Sequence, residues 1–346
     1  MIPTGTKDGS GVHLEVDGVR ISIGGSQADV ATFGEMLGRP RAAAPGAGHG
    51  PALRIDIRST ADHPRPAGEA AFRQGFIECF VEGDALVVWM ARSRATVRGG
   101  GAEVLVEIGT NPREAGPHLF VPALVLALRW HGLFHLHAGA VVAPDGRGIL
   151  IPGNSGAGKS TLVIALVEAG SGYMGDDGAF LSARNGGGSV VGMPRLFHVA
   201  PRTAAAFPRI ASLLGKRLEG ADKRRLEPGT AWPGRERRSM ERPAALLLPR
   251  LTGEAVTVVE RASCAEAMGV LVEASPLALE PRLPGAERHL EVIRGLAEET
   301  PAWHVGLGRD LLESPRRTVE RILRETGSDA ARAPGQASTG TRIAQG

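Results

Sequence analysis

Gly153-Asn154-Ser155-Gly156-Ala157-Gly158-Lys159-Ser160 is a full match to G-x-x-x-x-G-K-[ST]. Ile149-Leu150-Ile151 precedes it with the apolar character of a short buried strand, and Thr161 to Ala169 follows it as a helix. Between a strand and a helix, this pattern is a phosphate-binding P-loop. The glycines let the backbone turn so that several N–H groups face one concavity. The helix behind adds its positive N-terminal end. Gly153 to Ser160, with Thr161 behind, are therefore the expected binding residues for a nucleoside triphosphate. Lys159 would reach the β- and γ-phosphates, and the Ser160 hydroxyl would ligate Mg²⁺.

The chain has 346 residues, enough for one large or two ordinary domains. A hydrophobic share of 42% supplies a core, and an aromatic share of only 4% makes that core aliphatic. The net charge of +3 is mild and does not point to nucleic acid. A single tyrosine also argues against base-stacking platforms. Cys79 and Cys264 stand far apart and outside any C-x-x-C, as free thiols of a reducing cytoplasm do. The first residues, MIPTGTKDGSG, contain no apolar run, and Phe120 to Leu128 is too short to span a bilayer. The expectation is a cytoplasmic protein without membrane or nucleic-acid partners.

Working outward from the P-loop, the region before it is rich in strands. His13 to Val16 and Val19 to Ile23 flank Asp17-Gly18, a hairpin turn dipeptide. Ala52 to Ile57 alternates, and a meander runs from Phe76 to Ile108 over tight turns at Glu82-Gly83-Asp84 and Gly99-Gly100-Gly101. Arg39 to Pro51 is a low-complexity loop. These elements predict a mainly antiparallel β domain over residues 1–118, a P-loop domain over 119–326 and a disordered tail over 327–346. Within the second domain, Val121 to Trp130 reads as a helix with Pro122 in its first turn, and Ala138 to Ala143 as a strand. Thr203 to Leu214 reads as a helix that Pro208 either kinks or starts. Lys216 to Arg242 carries nine lysines and arginines, broken by prolines and glycines, and reads as a basic mobile loop. Ala244 to Leu248 and Ala255 to Val259 read as strands, and Ala265–Glu273, Ala286–Glu298 and Arg316–Glu325 as helices.

Binding alone is not transfer, which needs a carboxylate to hold metal and a group to orient the nucleophile. Asp176 and Asp177 end the short strand that follows the P-loop helix. One can take a proton from an attacking hydroxyl while the other holds Mg²⁺. A solvated Asp-Asp-Gly turn is the bland alternative. His137, two elements before the P-loop, is either a phosphate-side group with a charge that switches near neutral pH or a structural hydrogen-bonder. His131 and His135 stand close by, but without a nearby cysteine or carboxylate they make a poor zinc set. Lys223, Arg224 and Arg225 would contact phosphate or an acidic acceptor, or else form a solvated charged loop.

Taken together, HAGAVV, GRGILIPGNSGAGKST and AGSGYMGDD resemble the core of the HPr kinase/phosphorylase family, in its divergent HPr-kinase-related branch. The resemblance covers Leu133 to Leu181 and becomes a general likeness of element order from Gly192 to Thr326. It implies an α/β fold with a phosphoenolpyruvate-carboxykinase-like P-loop core, and often a homo-oligomer. It implies ATP (or GTP) and Mg²⁺, with Asp176 as base, Asp177 and Ser160 on the metal, and His137 beside them. The family's glutamate after Lys-Ser is Thr161 here, and its Arg-Gly-x-Gly signature is replaced by Met193-Pro194-Arg195 and Phe197-His198. The expected activity is therefore a kinase acting on a serine- or threonine-type hydroxyl of a peptide or protein other than HPr. A nucleotide-binding regulatory module with little turnover, and a small-molecule kinase, are the alternatives. No L-S-G-G-Q-like run follows the P-loop, which argues against a transporter ATPase.

Overall fold

The protein is described here by a computed structural model, over residues 12–26, 30, 52–110, 112–184, 188–193, 195–217 and 222–327. The low-complexity stretch 39–51 and the tail from residue 328 lie outside the described residues.

Eight strands open the chain: β1 (Val12–Val16), β2 (Val19–Gly24), β3 (Ala52–Ser59), β4 (Phe72–Gln74), β5 (Ile77–Glu82), β6 (Ala85–Met90), β7 (Ser93–Arg98) and β8 (Glu103–Ile108). They form one sheet in the order β1-β2-β3-β8-β7-β6-β5-β4. Asp17 and Gly18 both have positive φ, which gives the β1–β2 hairpin a turn matched to strand twist. The sheet is mainly antiparallel, but β3 runs parallel to both β2 and β8. Alternation along β3 and β8 puts Leu53, Ile55, Ile57, Val104, Val106 and Ile108 on one buried face.

Helix α1 (Pro112–Trp130) lies on that face. It starts nine residues earlier than expected, with Pro112 at its first position and Pro117 and Pro122 in its interior. An interior proline costs about 3 kcal/mol. Burial of the run from Leu119 to Leu128 offsets this, at roughly 1.5–3 kcal/mol per large side chain. The boundary expected after residue 118 falls inside this helix. One hydrophobic core joins the sheet and α1 to Leu133, Phe180, Val191, Met193 and Leu283.

The next elements are β9 (Leu133–Leu136), β10 (Ala138–Val142), β11 (Gly148–Pro152), α2 (Lys159–Glu168), β12 (Gly172–Gly175), β13 (Ala179–Ser182), β14 (Ser189–Gly192) and β15 (Phe197–Val199). After these come α3 (Pro201–Ala206), α4 (Pro208–Ala211), β16 (Arg224–Leu226), α5 (Pro228–Ala231), β17 (Ser239–Met240), β18 (Ala245–Leu251) and β19 (Val258–Ala262). The chain closes with α6 (Cys264–Glu273), α7 (Ala286–Glu299), β20 (Ala302–Leu307), α8 (Asp310–Glu313) and α9 (Pro315–Gly327). The helix expected over 203–214 is two short helices parted at Phe207-Pro208. The strand expected over 255–259 is displaced to 258–262.

The architecture is mixed α/β with several sheets. The P-loop strand β11 lies in a six-stranded sheet of order β12-β10-β11-β18-β20-β19. It is antiparallel to β10 on one side and parallel to β18 on the other. Since β12 is antiparallel to β10, it runs in the direction of β11, and both strands end on one edge. Helix α2 is buried nearly all round, from Leu162 to Val167, and not on one face only. It approaches β10 so closely that a Cβ on Gly139 would meet Val163 Cγ2 at 2.5 Å.

The basic segment, described over 216–217 and 222–242, is not a loose loop there, and 218–221 lie outside the described residues. Trp232 is buried against Tyr173 and Phe197, and its indole N–H donates to Glu168 at 2.5 Å. Arg235 donates to the Val167 carbonyl at 2.6 Å, and Arg209 pairs with Glu168. Aromatic burial and capping of the end of α2 thus fix a stretch whose charge count suggested motion.

At the end of α1, buried Arg129 donates to the Pro284 carbonyl at 3.0 Å and lies 3.0 Å from His289 Nδ1. His289 must accept there and so is neutral. Burial, then the Arg129 charge, push its pKa down to about 3. The unfolded chain takes up this proton near pH 6.5. Between these values the unfolded state binds more protons, so stability falls as pH falls. By pH 5 this site alone should cost about 2 kcal/mol relative to neutrality. Thermal melts of the parent chain and of His289→Gln across pH 5–7 check this. The parent should lose Tm more steeply, and parallel losses would show that His289 is not responsible.

Candidate active site

The loop after β11 turns on three glycines with positive φ, Gly153, Gly156 and Gly158. Gly158 leads into α2 at φ 100, and a Cβ there would meet Leu307 Cδ1 at 2.6 Å. The ends of β18 and β20 therefore press on the loop from behind, and glycine is required for conformation and for space.

Lys159 is only 4% exposed. Its ammonium has three donors. They meet the Gly153 carbonyl at 2.8 Å, the Asn154 carbonyl at 2.9 Å and His137 Nε2 at 2.8 Å. Burial lowers the Lys159 pKa, and the carboxylates of Asp177 and Asp176 oppose that shift. His137 sits in the one-residue break between β9 and β10. Its Nδ1 is 3.1 Å from the Asp177 carbonyl oxygen and 3.4 Å from Asp177 Oδ1. A lysine donor at Nε2 and an acceptor at Nδ1 fix the neutral ring with its proton on Nδ1. Burial holds the His137 pKa below its ordinary value, Asp177 pulls the other way, and Lys159 adds to the lowering. A charge switch near neutrality, one of the sequence expectations, is not what this environment favours.

Asp176 and Asp177 follow β12 at the edge where β11 ends, and they face different surroundings. Asp176 is 2% exposed, takes a hydrogen bond from the Ser160 side chain and faces the His198 backbone N–H at 3.5 Å. Burial, then the neighbouring Asp177 charge, raise its pKa to about 7. Asp177 is half-buried, and its Oδ2 lies 3.6 Å from Arg195 Nη1.

The three basic residues separate. Arg225 stands opposite His198 in the β15–β16 ladder, and both Arg225 and Lys223 act on the His198 ring charge. Burial first, then Arg195, push the His198 pKa down to about 4. Arg224 points the other way and donates to the carbonyls of Leu214 and Gly215, at 2.6 and 3.0 Å. It fastens the chain and does not face the site. Thr161 also turns away, with its hydroxyl 2.7 Å from that of Thr203, so only its backbone remains toward the loop. Asn154 reaches Glu273 at 3.2 Å.

Arg195 and His198 join the site without having been singled out, although they occupy the stretch where a family signature was missing. His131 bonds toward the Gly101 carbonyl, away from His137. Among the described residues, no group of three His, Cys, Asp or Glu side chains could hold a metal. The donor set of Ser160 Oγ beside the Asp176 carboxylate fits Mg²⁺, which is typically completed by phosphate oxygens and water. A cavity of about 340 Å³ opens beside His137, Asn154 and Ser155. No helix among the described residues is long and apolar enough to cross a membrane.

No family model matches the chain, and no curated protein matches it. Among solved structures it is similar to the Hpr(Ser) kinase/phosphatase from Coxiella burnetii, at 16% identity over 57% of this chain and 96% of that one, with a TM-score of 0.29. A likeness that low carries no functional argument, which rests on the geometry above.

The split among the basic residues is testable by calorimetric titration with a non-hydrolysable ATP analogue and by thermal melts. Lys223→Ala and Arg225→Ala should each weaken binding about tenfold, or about 1.4 kcal/mol, and more at low salt. Arg224→Ala should leave affinity unchanged and lower stability by about 1 kcal/mol. Equal affinity losses for all three would contradict the separation.

Proposed function

We propose that the protein is an ATP-dependent kinase that phosphorylates a serine- or threonine-type hydroxyl. The observation that carries this reading is the chain Lys159–His137–Asp177. A phosphate-binding ammonium and a half-exposed carboxylate stand on either side of a single neutral imidazole, at 2.8 and 3.4 Å. A terminal phosphate held by the ammonium and a hydroxyl held by the carboxylate would then meet beside the imidazole.

The P-loop amides and Lys159 would hold the triphosphate. Ser160 and Asp176 would hold Mg²⁺, which neutralises charge on the phosphates. Arg195, Lys223 and Arg225 stand where charge spreads over the transferring group. Asp177, the more accessible carboxylate, would accept the hydroxyl proton, with His137 and Arg195 fixing its orientation. As the acceptor oxygen bonds to the γ-phosphorus, the bond to the β–γ bridging oxygen breaks and ADP leaves. This assigns the two aspartates in the reverse of the order that the family resemblance implies. Burial of Asp176 against Ser160 favours metal support, since an acceptor hydroxyl reaches a 2%-exposed carboxylate poorly.

One observation favours a second reading, a nucleotide-binding module with little turnover. Thr161 turned toward Thr203 leaves no acidic side chain where the resembled family carries one.

Labelled-ATP transfer and Mg²⁺-dependent nucleotide binding, measured on the same variants, decide among these. Asp177→Asn should keep affinity for the Mg²⁺ nucleotide and lose about 10²–10⁴-fold in transfer. Asp176→Asn should lose the gain in affinity that Mg²⁺ confers. The opposite pattern restores Asp176 as base. Tight binding with no transfer to any hydroxyl compound supports the second reading.

A further inference from the structure

The cavity beside the P-loop is built by parts of the chain far from it. Phe72, Ile77, Val88, Val121, Val125 and Leu277 form apolar walls, drawn from β4–β6, from α1 and from the turn after α6. His137, Asn154 and Ser155 form the end nearest the phosphates. Which phosphate lies there follows from Lys159. Its ammonium, which serves the β- and γ-phosphates, contacts the Asn154 carbonyl and His137. The α-phosphate end of a P-loop lies at the start of the helix, near Ser160 and Thr161, and neither residue lines the cavity. The cavity thus adjoins the end from which a γ-phosphoryl group leaves. The nucleoside points away from it.

Its chemistry is selective. Among the described residues no lysine or arginine lines it, and Glu273 is the one carboxylate. An anionic group placed against the apolar walls would lose hydration, and the carboxylate of Glu273 would repel it. Cys79, also in the wall, has its thiol pushed up to about 12 by burial and acts as an apolar surface. The rim continues the apolar character, because Phe76, 85% exposed, stands in the β4–β5 turn between the wall residues Gln74 and Ile77. Among the described residues, strand β4 is the last in its sheet, an edge of the kind along which an extended peptide can lie.

We infer that this cavity is the acceptor subsite, and that it takes a peptide segment in which an uncharged, bulky apolar side chain neighbours the hydroxyl to be phosphorylated. The inference rests on the kinase reading. The side chain fills the space between the β-sheet and α1, and the adjoining hydroxyl lies at His137 and Asp177. The eight-stranded sheet is then a substrate-reading element as well as a scaffold. A free hydroxy-amino acid or a keto acid, each with a carboxylate close to the reacting group, fits poorly.

The test uses the full chain, labelled ATP and synthetic peptides Ala-Ala-Ser-Xaa-Ala-Ala, with Xaa as Leu, Phe, Ala, Asp or Lys. Calorimetry with the Mg²⁺–ATP analogue runs in parallel. The Leu and Phe peptides should be phosphorylated at least tenfold faster than the Asp and Lys peptides. Leu277→Trp, which fills the cavity, should abolish that advantage with nucleotide affinity unchanged. Ile77→Glu should move the preference from Leu to Lys, an outcome that a misfolded variant cannot produce. Intact nucleotide binding with equal rates for all five peptides, or with no peptide phosphorylated, overturns the inference and leaves nucleotide binding standing. Failure to bind the nucleotide at all overturns the kinase reading instead.

Discussion

The site depends on where a buried ammonium finds its three partners. Lys159 opens a helix with nearly every side chain inside the core, so water cannot solvate its charge. Two loop carbonyls and His137 accept its hydrogen bonds. That requirement ties the P-loop to the crossing from β9 to β10. Through His137 it also ties the loop to the carboxylates after β12. The alternative, an ammonium buried without acceptors, would cost several kcal/mol or force deprotonation. The free loop is thus held in shape by the group that would later serve the phosphates.

This arrangement needs β10 to lie between β11 and β12, antiparallel to both. In a wholly parallel sheet, His137 would fall at the opposite edge from the P-loop. Here β10 begins where β11 ends, and the residue just before β10 stands at the phosphate end. Gly139 belongs to the same constraint. Two residues after His137, it has no side chain to hold α2 away from β10.

Much of this was legible in the sequence, for definite reasons. The P-loop is read from local backbone demands, since Gly158 must have positive φ and no Cβ, and only glycine satisfies both. The hairpins of the first sheet announced themselves through turn dipeptides such as Asp17-Gly18. What stayed hidden was set by tertiary contacts. The start of α1 was missed because Pro122 looked like a helix start, while packing between sheets carries the helix past it. Charge and proline content suggest motion for the basic segment, whose described residues from 222 to 242 are instead held in place. A single tryptophan, buried against Tyr173 and Phe197, holds it down. The parting of Arg224 from Arg225 follows from strand alternation in β16, a three-residue ladder that periodicity in a proline-broken stretch cannot reveal. The cavity draws on segments some two hundred residues apart in sequence, and no local pattern encodes it.

The charges around the two aspartates give one more step. Lys159, Arg195, Lys223 and Arg225 converge on Asp176, Asp177 and His198. Cations outnumber carboxylates, and the titrating groups respond to that. His198 is pushed down to about 4 by burial and by three neighbouring cations. Asp176, in contrast, is pushed up to about 7 despite the attraction of Arg195, because its burial and the charge on Asp177 weigh more. The site therefore gathers more cations than carboxylates, and its most buried carboxylate is the one whose pKa is raised. A polyanion beside the cations and a divalent cation beside Asp176 would each be favoured by these charges. The electrostatics favour joint binding of phosphate and metal, a coupling that follows from Lys159 and Ser160 opening α2 beside Asp176 at the end of β12.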